Sequence, residues 1–186
     1  MNIAVFCGSS GGKNPLYAKE TAVFGEILAK EGHALVYGGG KVGLMGTVAD
    51  AVLGQGGHVM GVIPQSLEQK ELAHTGVSEL HIVNNMHERK AMMAARGDAF
   101  VALPGGVGTL EEIFEAWTWA QLGYHKKPIA FLDIGGFYTH LFAFLAHVKE
   151  EGFMYDIHHE MLIIEADPHV LLEKIKAYLP PRNKWE

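Results

Sequence analysis

The chain has 186 residues, 48% of them hydrophobic and 19% charged, with a formal net charge of −6 at pH 7. That length suits one domain with a real core, and that composition excludes a disordered chain. An acidic balance also excludes a general nucleic-acid surface, which needs a basic face, and leaves room only for a local cationic pocket.

The first apolar run, Ile3 to Cys7, predicts a strand and leads into Gly8-Ser9-Ser10-Gly11-Gly12-Lys13. Cys7 is the only cysteine and cannot form an internal disulfide, so a reducing cytoplasmic setting is expected. No charged-then-apolar leader opens the chain, and no apolar run reaches the roughly 18 residues of a membrane span. No membrane partner is therefore expected. A helix over Pro15 to Lys30 precedes a strand over Ala34 to Tyr37 and a second glycine loop, Gly38-Gly39-Gly40-Lys41-Val42-Gly43. Next come a helix over Leu44 to Gly54 and strands over His58 to Ile63 and Glu79 to Val83. A helix over Met86 to Arg96 and a strand over Ala99 to Leu103 follow. Beyond them lie a helix over Leu110 to Leu122, a strand over Pro128 to Leu132 and a helix over Phe137 to Glu150. A short strand, Leu162 to Glu165, and a helix, Pro168 to Tyr178, complete the pattern, with 180–186 read as a loose tail.

Strands alternating with helices predict an α/β fold, a single doubly wound, Rossmann-like domain over 1–179. Several strands are continuous apolar runs, as a mainly parallel sheet of about seven strands covered by helices on both faces requires. Ligands in such folds bind beyond the carboxyl ends of the strands, where the three glycine-rich loops fall.

The third of these loops is the most informative. Pro104-Gly105-Gly106-Val107-Gly108-Thr109-Leu110-Glu111-Glu112 joins a strand to a helix. A chance match to P-G-G-x-G-T-x-x-E in such a chain is on the order of 10⁻⁵. Glycines free the backbone to face an anion with its N–H groups at the positive end of the new helix. Glu111 and Glu112, expected in the first helical turn, would favour that end and could do acid–base chemistry beside a phosphate. Neighbouring helical residues point about 100° apart, so Glu111 and Glu112 compete for one role. Upstream, Met86-His87-Glu88-Arg89-Lys90 puts two cations where the helix dipole disfavours them. They answer either to something negative or to a solvated face in which Glu88 pairs locally.

Other motifs carry less. Gly38, Gly40 and Gly43 satisfy G-x-G-x-x-G, but the acid about 20 residues on that a dinucleotide site needs is missing. Gly8, Ser9, Ser10, Gly39, Gly40, Gly43 and Met45 are instead expected to help line a smaller nucleotide's pocket. No P-loop and no nucleophile elbow occur. The 11 histidines show no zinc spacing, so no metal is expected. His158 and His159 fall in a predicted loop, and His140 and His147 on a helix surface. Trp117 and Trp119 cannot share a helix face, so one is expected inside and the other against a partner subunit.

Pro104 to Glu112 and Met86 to Lys90, with the two upstream glycine loops and Trp119-Ala120-Gln121-Leu122-Gly123, resemble the LOG family. These are cytokinin riboside 5′-monophosphate phosphoribohydrolases, some long labelled lysine decarboxylases. The resemblance spans nearly the whole chain. It implies hydrolysis of the N-glycosidic bond of a purine nucleoside 5′-monophosphate, such as a cytokinin nucleotide or AMP. It implies Arg89 and Glu112 as the catalytic pair. Glu71, Arg89, Lys90, Gly105, Gly106, Val107, Gly108, Thr109, Leu110, Glu111 and Thr118 would form the substrate site. It further implies a homodimer with the site at the subunit interface and no organic cofactor. A pyridoxal-dependent decarboxylase would need a Schiff-base lysine, and no lysine here sits in such a context. A nucleotide-binding sensor or carrier using the same pocket is the alternative reading.

Overall fold

The computed structural model describes residues 1–68 and 72–181. Its strands are β1 (Asn2–Phe6), β2 (Ala34–Tyr37), β3 (Val59–Pro64), β4 (Glu79–Val83), β5 (Ala99–Ala102), β6 (Ile129–Leu132) and β7 (Leu162–Glu165). All seven join one parallel sheet in the order β4-β3-β2-β1-β5-β6-β7. The main helices are α1 (Pro15–Lys30), α2 (Gly43–Gly54), α4 (Met86–Arg96), α5 (Val107–Gln121), α6 (Thr139–Glu150) and α8 (Pro168–Lys176). Two single-turn helices, α3 (Gln65–Glu68) and α7 (Asp156–His159), lie between them.

Successive side chains of a strand point to opposite faces, and both faces here are covered. Ile3 and Val5 of β1 join Leu35, Phe24, Val48 and Leu172 on the α1, α2 and α8 side. Ala4 and Phe6 join Val36, Met93, Ile113 and Trp117 on the α4 and α5 side. Burial on both faces is why the strands read as unbroken apolar runs. Trp117 is the inward tryptophan, its indole N–H donating to the carbonyl of His158 at 3.1 Å.

The winding places the ligand crevice. From central β1 the chain steps outward through β2, β3 and β4, then crosses back to lay β5 on the other side of β1. Loops after β1 and β5 therefore leave in opposite directions and open a gap between them. Two backbone bonds fix its floor: the amide of Gly8 donates to Pro104 O at 3.0 Å, and that of Leu44 donates to Gly8 O at 3.0 Å.

Local signals set most boundaries. Asn14 caps α1 by accepting from the amide of Leu16, with Pro15 in the first turn. Asp167 caps α8 in the same way, ahead of Pro168. His158 and His159 belong to α7 rather than to a loop. Helix α6 begins at Thr139 rather than at Phe137, after a 3-10 turn over Ile134–Gly136 in which Gly135 and Gly136 both take positive φ.

One correction bears on the site. Helix α5 begins at Val107 with Gly106 extended at its N-cap, not at Leu110. Glu111 and Glu112 consequently sit in the second turn, and the first turn carries no acid. The cause is local: Gly105 lacks a Cβ, and one there would lie 2.1 Å from the Thr109 hydroxyl oxygen. Thr109 can thus fold back over Gly105 and start the helix early.

Gly43 holds the second glycine loop against the first. It has φ +60°, and a Cβ there would lie 2.3 Å from the Ser9 carbonyl carbon. Gly43→Ala is expected to lower unfolding stability by about 2 kcal/mol or more, combining left-handed strain with backbone overlap. Urea denaturation measures it.

Candidate active site

The cavity beside the β1–β5 gap encloses about 330 Å³. Its lining brings together residues of five separate segments: Val5 to Ser9, Gly38 and Met45, Leu67, Met86 and Arg89, and Gly106 to Thr109 with Glu112. A neighbouring hollow of about 300 Å³ shares Gly8, Ser9 and Gly106 and adds Ser10, Tyr17 and Phe137.

Arg89 is buried, at 5% exposure, and its guanidinium is held from below. Nε donates to Val62 O at 3.1 Å and Nη2 to Gly38 O at 2.9 Å, at the carboxyl ends of β3 and β2. Nη1 faces the sulfur of Met86 at 3.6 Å and lies 4.0 Å from Oε1 of Glu112. A Cβ on Gly38 would fall 1.8 Å from Nη2, so only glycine lets the arginine seat here. Burying a guanidinium is costly unless acceptors surround it, and two carbonyls and a carboxylate meet that need.

Asn85 turns Arg89 inward. It caps α4 by accepting from the amide of Glu88 at 3.0 Å. The Glu88 carboxylate in turn accepts from the amide of Asn84 at 2.9 Å. Backbone and amide donors of Asn84 and Asn85 hold the Glu88 carboxyl below its usual range. Glu88 thus serves the helix end.

Glu112 reaches the cavity from α5, its side chain only 12% exposed. Glu111 points elsewhere and accepts from Lys90 at 2.5 Å, while Glu115 accepts from the same ammonium at 3.1 Å. Burial lowers the affinity of Lys90 for its proton, but these two carboxylates prevail and shift its pKa upward. Lys90, expected to answer an anion in the pocket, instead ties α4 to α5 and is absent from the cavity wall.

The first turn of α5 supplies the other pole. Amides of Val107, Gly108 and Thr109 precede the first intrahelical donor, Leu110, which bonds Gly106 O at 3.1 Å. Cβ atoms added to Gly106 and Gly108 would meet open space, so an anion can approach this backbone closely.

Of the residues expected here, Gly8, Ser9, Met45, Arg89, Gly106, Val107, Gly108, Thr109 and Glu112 line the cavity. Ser10 and Gly105 line the neighbouring hollow. Gly39, Gly40 and Gly43 line neither. Gly39 packs on Ile63 and Gly43 rests on Ser9, so their missing side chains serve close approach, and Gly40 bridges to Ala73. Leu110 packs into the core beneath α5. Thr118 is exposed, its hydroxyl donating to Phe114 O at 2.8 Å. Glu71 lies outside the described residues. Leu67, from α3, joins the wall without any signal in the sequence, because that single turn was not predicted. Among the described residues, no group of three or more His, Cys, Asp or Glu is placed to hold a metal ion.

The chain is similar to known proteins along most of its length. The family model described as possible lysine decarboxylase matches residues 45–175. A probable cytokinin riboside 5′-monophosphate phosphoribohydrolase of Oryza sativa subsp. japonica, LOGL2, is 45% identical over 98% of this chain and 75% of its own length. The chain belongs to the LOG family. The cytokinin riboside 5′-monophosphate phosphoribohydrolase LOG7 of Arabidopsis thaliana, another LOG protein, is 44% identical over 96% of this chain and 82% of its own. The molybdenum cofactor carrier protein of Chlamydomonas reinhardtii is a fold neighbour, with TM-score 0.72 and 20% identity over 95% of this chain and 98% of its own. At that identity the likeness extends to the fold alone.

Cys7 lines the cavity with its thiol pushed far up by burial, then by the Glu112 carboxylate, with Arg89 opposing. It is expected to stay protonated and resist iodoacetamide at pH 8 in the native protein, and to alkylate readily once unfolded, as mass spectrometry reads.

Proposed function

We propose that this protein hydrolyses the N-glycosidic bond of a purine nucleoside 5′-monophosphate, releasing free base and ribose 5-phosphate. The observation that carries the reading is Glu112 in a cavity beside a buried, carbonyl-anchored Arg89, next to the open amides of Val107 to Thr109. The names carried by the similar rice and Arabidopsis proteins support the same activity. The 5′-phosphate sits on the α5 amides and the Thr109 hydroxyl, at the positive helix end. Binding it there, away from the reacting bond, positions the ribose in front of Glu112.

Breaking the bond develops an oxocarbenium-like sugar and a departing base. The Glu112 carboxylate stabilises that positive charge and orients the attacking water. With Nε and Nη2 directed to backbone carbonyls, Arg89 acts less as a phosphate clamp than as a fixed cation facing Glu112. Met45, Leu67 and Met86 offer the apolar wall against which a purine can lie. AMP and N6-substituted adenine nucleotides both fit this description. No cofactor enters the scheme.

The test is a panel of nucleoside monophosphates with free base read by chromatography. AMP is expected to release adenine, and adenosine, lacking the phosphate, to do so at least about a hundredfold more slowly. Glu112→Gln and Arg89→Ala are each expected to lower turnover by about a thousandfold or more while thermal unfolding stays cooperative. Near-normal turnover in both variants would overturn the assignment.

The protein is further proposed to act as a homodimer in the cytoplasm. Thr118, implied in the site yet outside this protomer's cavity, supports a partner surface along α5. So do the exposed side chains of Tyr124, Phe144, Phe153 and Tyr155, at 60–87% exposure. Cys7 kept as a buried thiol suits a reducing compartment. Among the described residues, no helix is long and apolar enough to cross a membrane. Light scattering is expected to give about twice the 20.3 kDa chain mass.

A further inference from the structure

Gly38 O is one of the two backbone acceptors that seat Arg89, yet it lies in a run of three glycines. Such a backbone does not hold its own shape, and Gly39 already takes φ +77°. It is held from outside by the segment before β4. The amide of His74 donates to Gly39 O at 2.9 Å, Gly40 bridges to Ala73, and the amide of Lys41 donates to Leu72 O at 2.9 Å.

That segment is anchored in turn by one side chain. The His74 imidazole is buried, at 5% exposure. Its Nδ1 accepts from the amide of Gly76 at 3.2 Å, which assigns the proton to Nε2. Nε2 then donates to Oδ1 of Asp50 at 2.9 Å. Asp50 belongs to α2, the helix whose first turn carries Met45 into the cavity. The path from Asp50 to Arg89 thus runs through one imidazole, three backbone contacts and one carbonyl.

We propose that His74, clamped by Asp50, is a positioning residue for Arg89. It fixes the Gly38–Gly40 backbone so that the guanidinium keeps its bearing on Glu112. The inference rests on the reading above that Arg89 and Glu112 drive base release. Without the clamp the glycine loop shifts, the Gly38 bond loosens, and Arg89 swings within its socket. A displacement of such a group by about 1 Å can cost about a hundredfold in rate, so even slight loosening is visible in turnover.

His74→Ala is expected to lower kcat for base release by about tenfold or more, with KM within about twofold, since the phosphate cradle on α5 is untouched. His74→Gln, which can still donate to Asp50, is expected to recover most of that loss. Asp50 is exposed, so Asp50→Ala tests the clamp without emptying a buried site, and is expected to lower kcat by about threefold. In an Arg89→Lys background, His74→Ala is expected to change kcat by less than about twofold while still lowering Tm, because the coupled partner is gone. A merely structural histidine would instead reduce both additively.

A readout independent of turnover completes the test. The chain has three arginines, so the Nε–H signal of Arg89 can be assigned by its loss in Arg89→Lys. It is expected to be slowly exchanging in the wild type and exchange-broadened in His74→Ala and Asp50→Ala. If the wild type releases no base, the functional reading fails, and this signal still decides the clamp. Full kcat with an unchanged Arg89 signal in Asp50→Ala, or in His74→Ala, overturns the proposal.

Discussion

Burying the Arg89 guanidinium at the ends of β2 and β3 obliges the surrounding backbone to supply acceptors. Gly38 and Val62 provide them through their carbonyls, and Glu112 faces the remaining edge from α5. A cation so enclosed cannot readily reorient, because each alternative position would strand a buried donor. Much of the site follows from that requirement. Gly38 must lack a side chain, Asn85 must cap α4 so that Arg89 points inward, and Glu88 must find partners at the helix end. The cavity wall is then rigid on the side where chemistry needs a fixed charge.

The sheet's winding supplies the second condition. Because the chain reverses direction at β1, the loops after β1 and β5 part there, and α5 aims its first turn into the gap. Its free amides and the Arg89–Glu112 pair meet in one cavity although they come from helices separated by a strand. The open amides at one pole and the carboxylate at the other suit the proposed substrate, which carries an anion at one end and its scissile bond toward the other. The glycines at this edge divide by purpose: Gly106 and Gly108 leave open backbone for a ligand, whereas Gly39 and Gly43 let loop press on strand and loop on loop.

Much of this was legible in the residues. The apolar runs marked the inner strands to within about two residues, because burial on both faces leaves little room for polar interruptions. Pro15 after Asn14 and Pro168 after Asp167 marked helix starts for reasons confined to one turn of chain. Less legible were features that depend on contact across the sequence. The early start of α5 turns on how Thr109 packs over Gly105, and the capture of Lys90 turns on α4 lying beside α5. Leu67 reached the cavity on a single helical turn too short to leave a period in the sequence.

By itself, then, the sequence determined the alternation of strands and helices, the glycine-rich edge and the family to which the chain belongs. All of these are written in local periodicity and in motifs whose members lie close together. Tertiary structure alone decided which of two adjacent glutamates enters the cavity and which of two adjacent cations joins it. Side chains 100° apart on a helix meet different surroundings, and only the packed neighbours of α4 and α5 determine what those are. Arg89 faced inward to the carbonyls of the sheet and Glu112 faced Arg89; Glu111 and Lys90 faced each other.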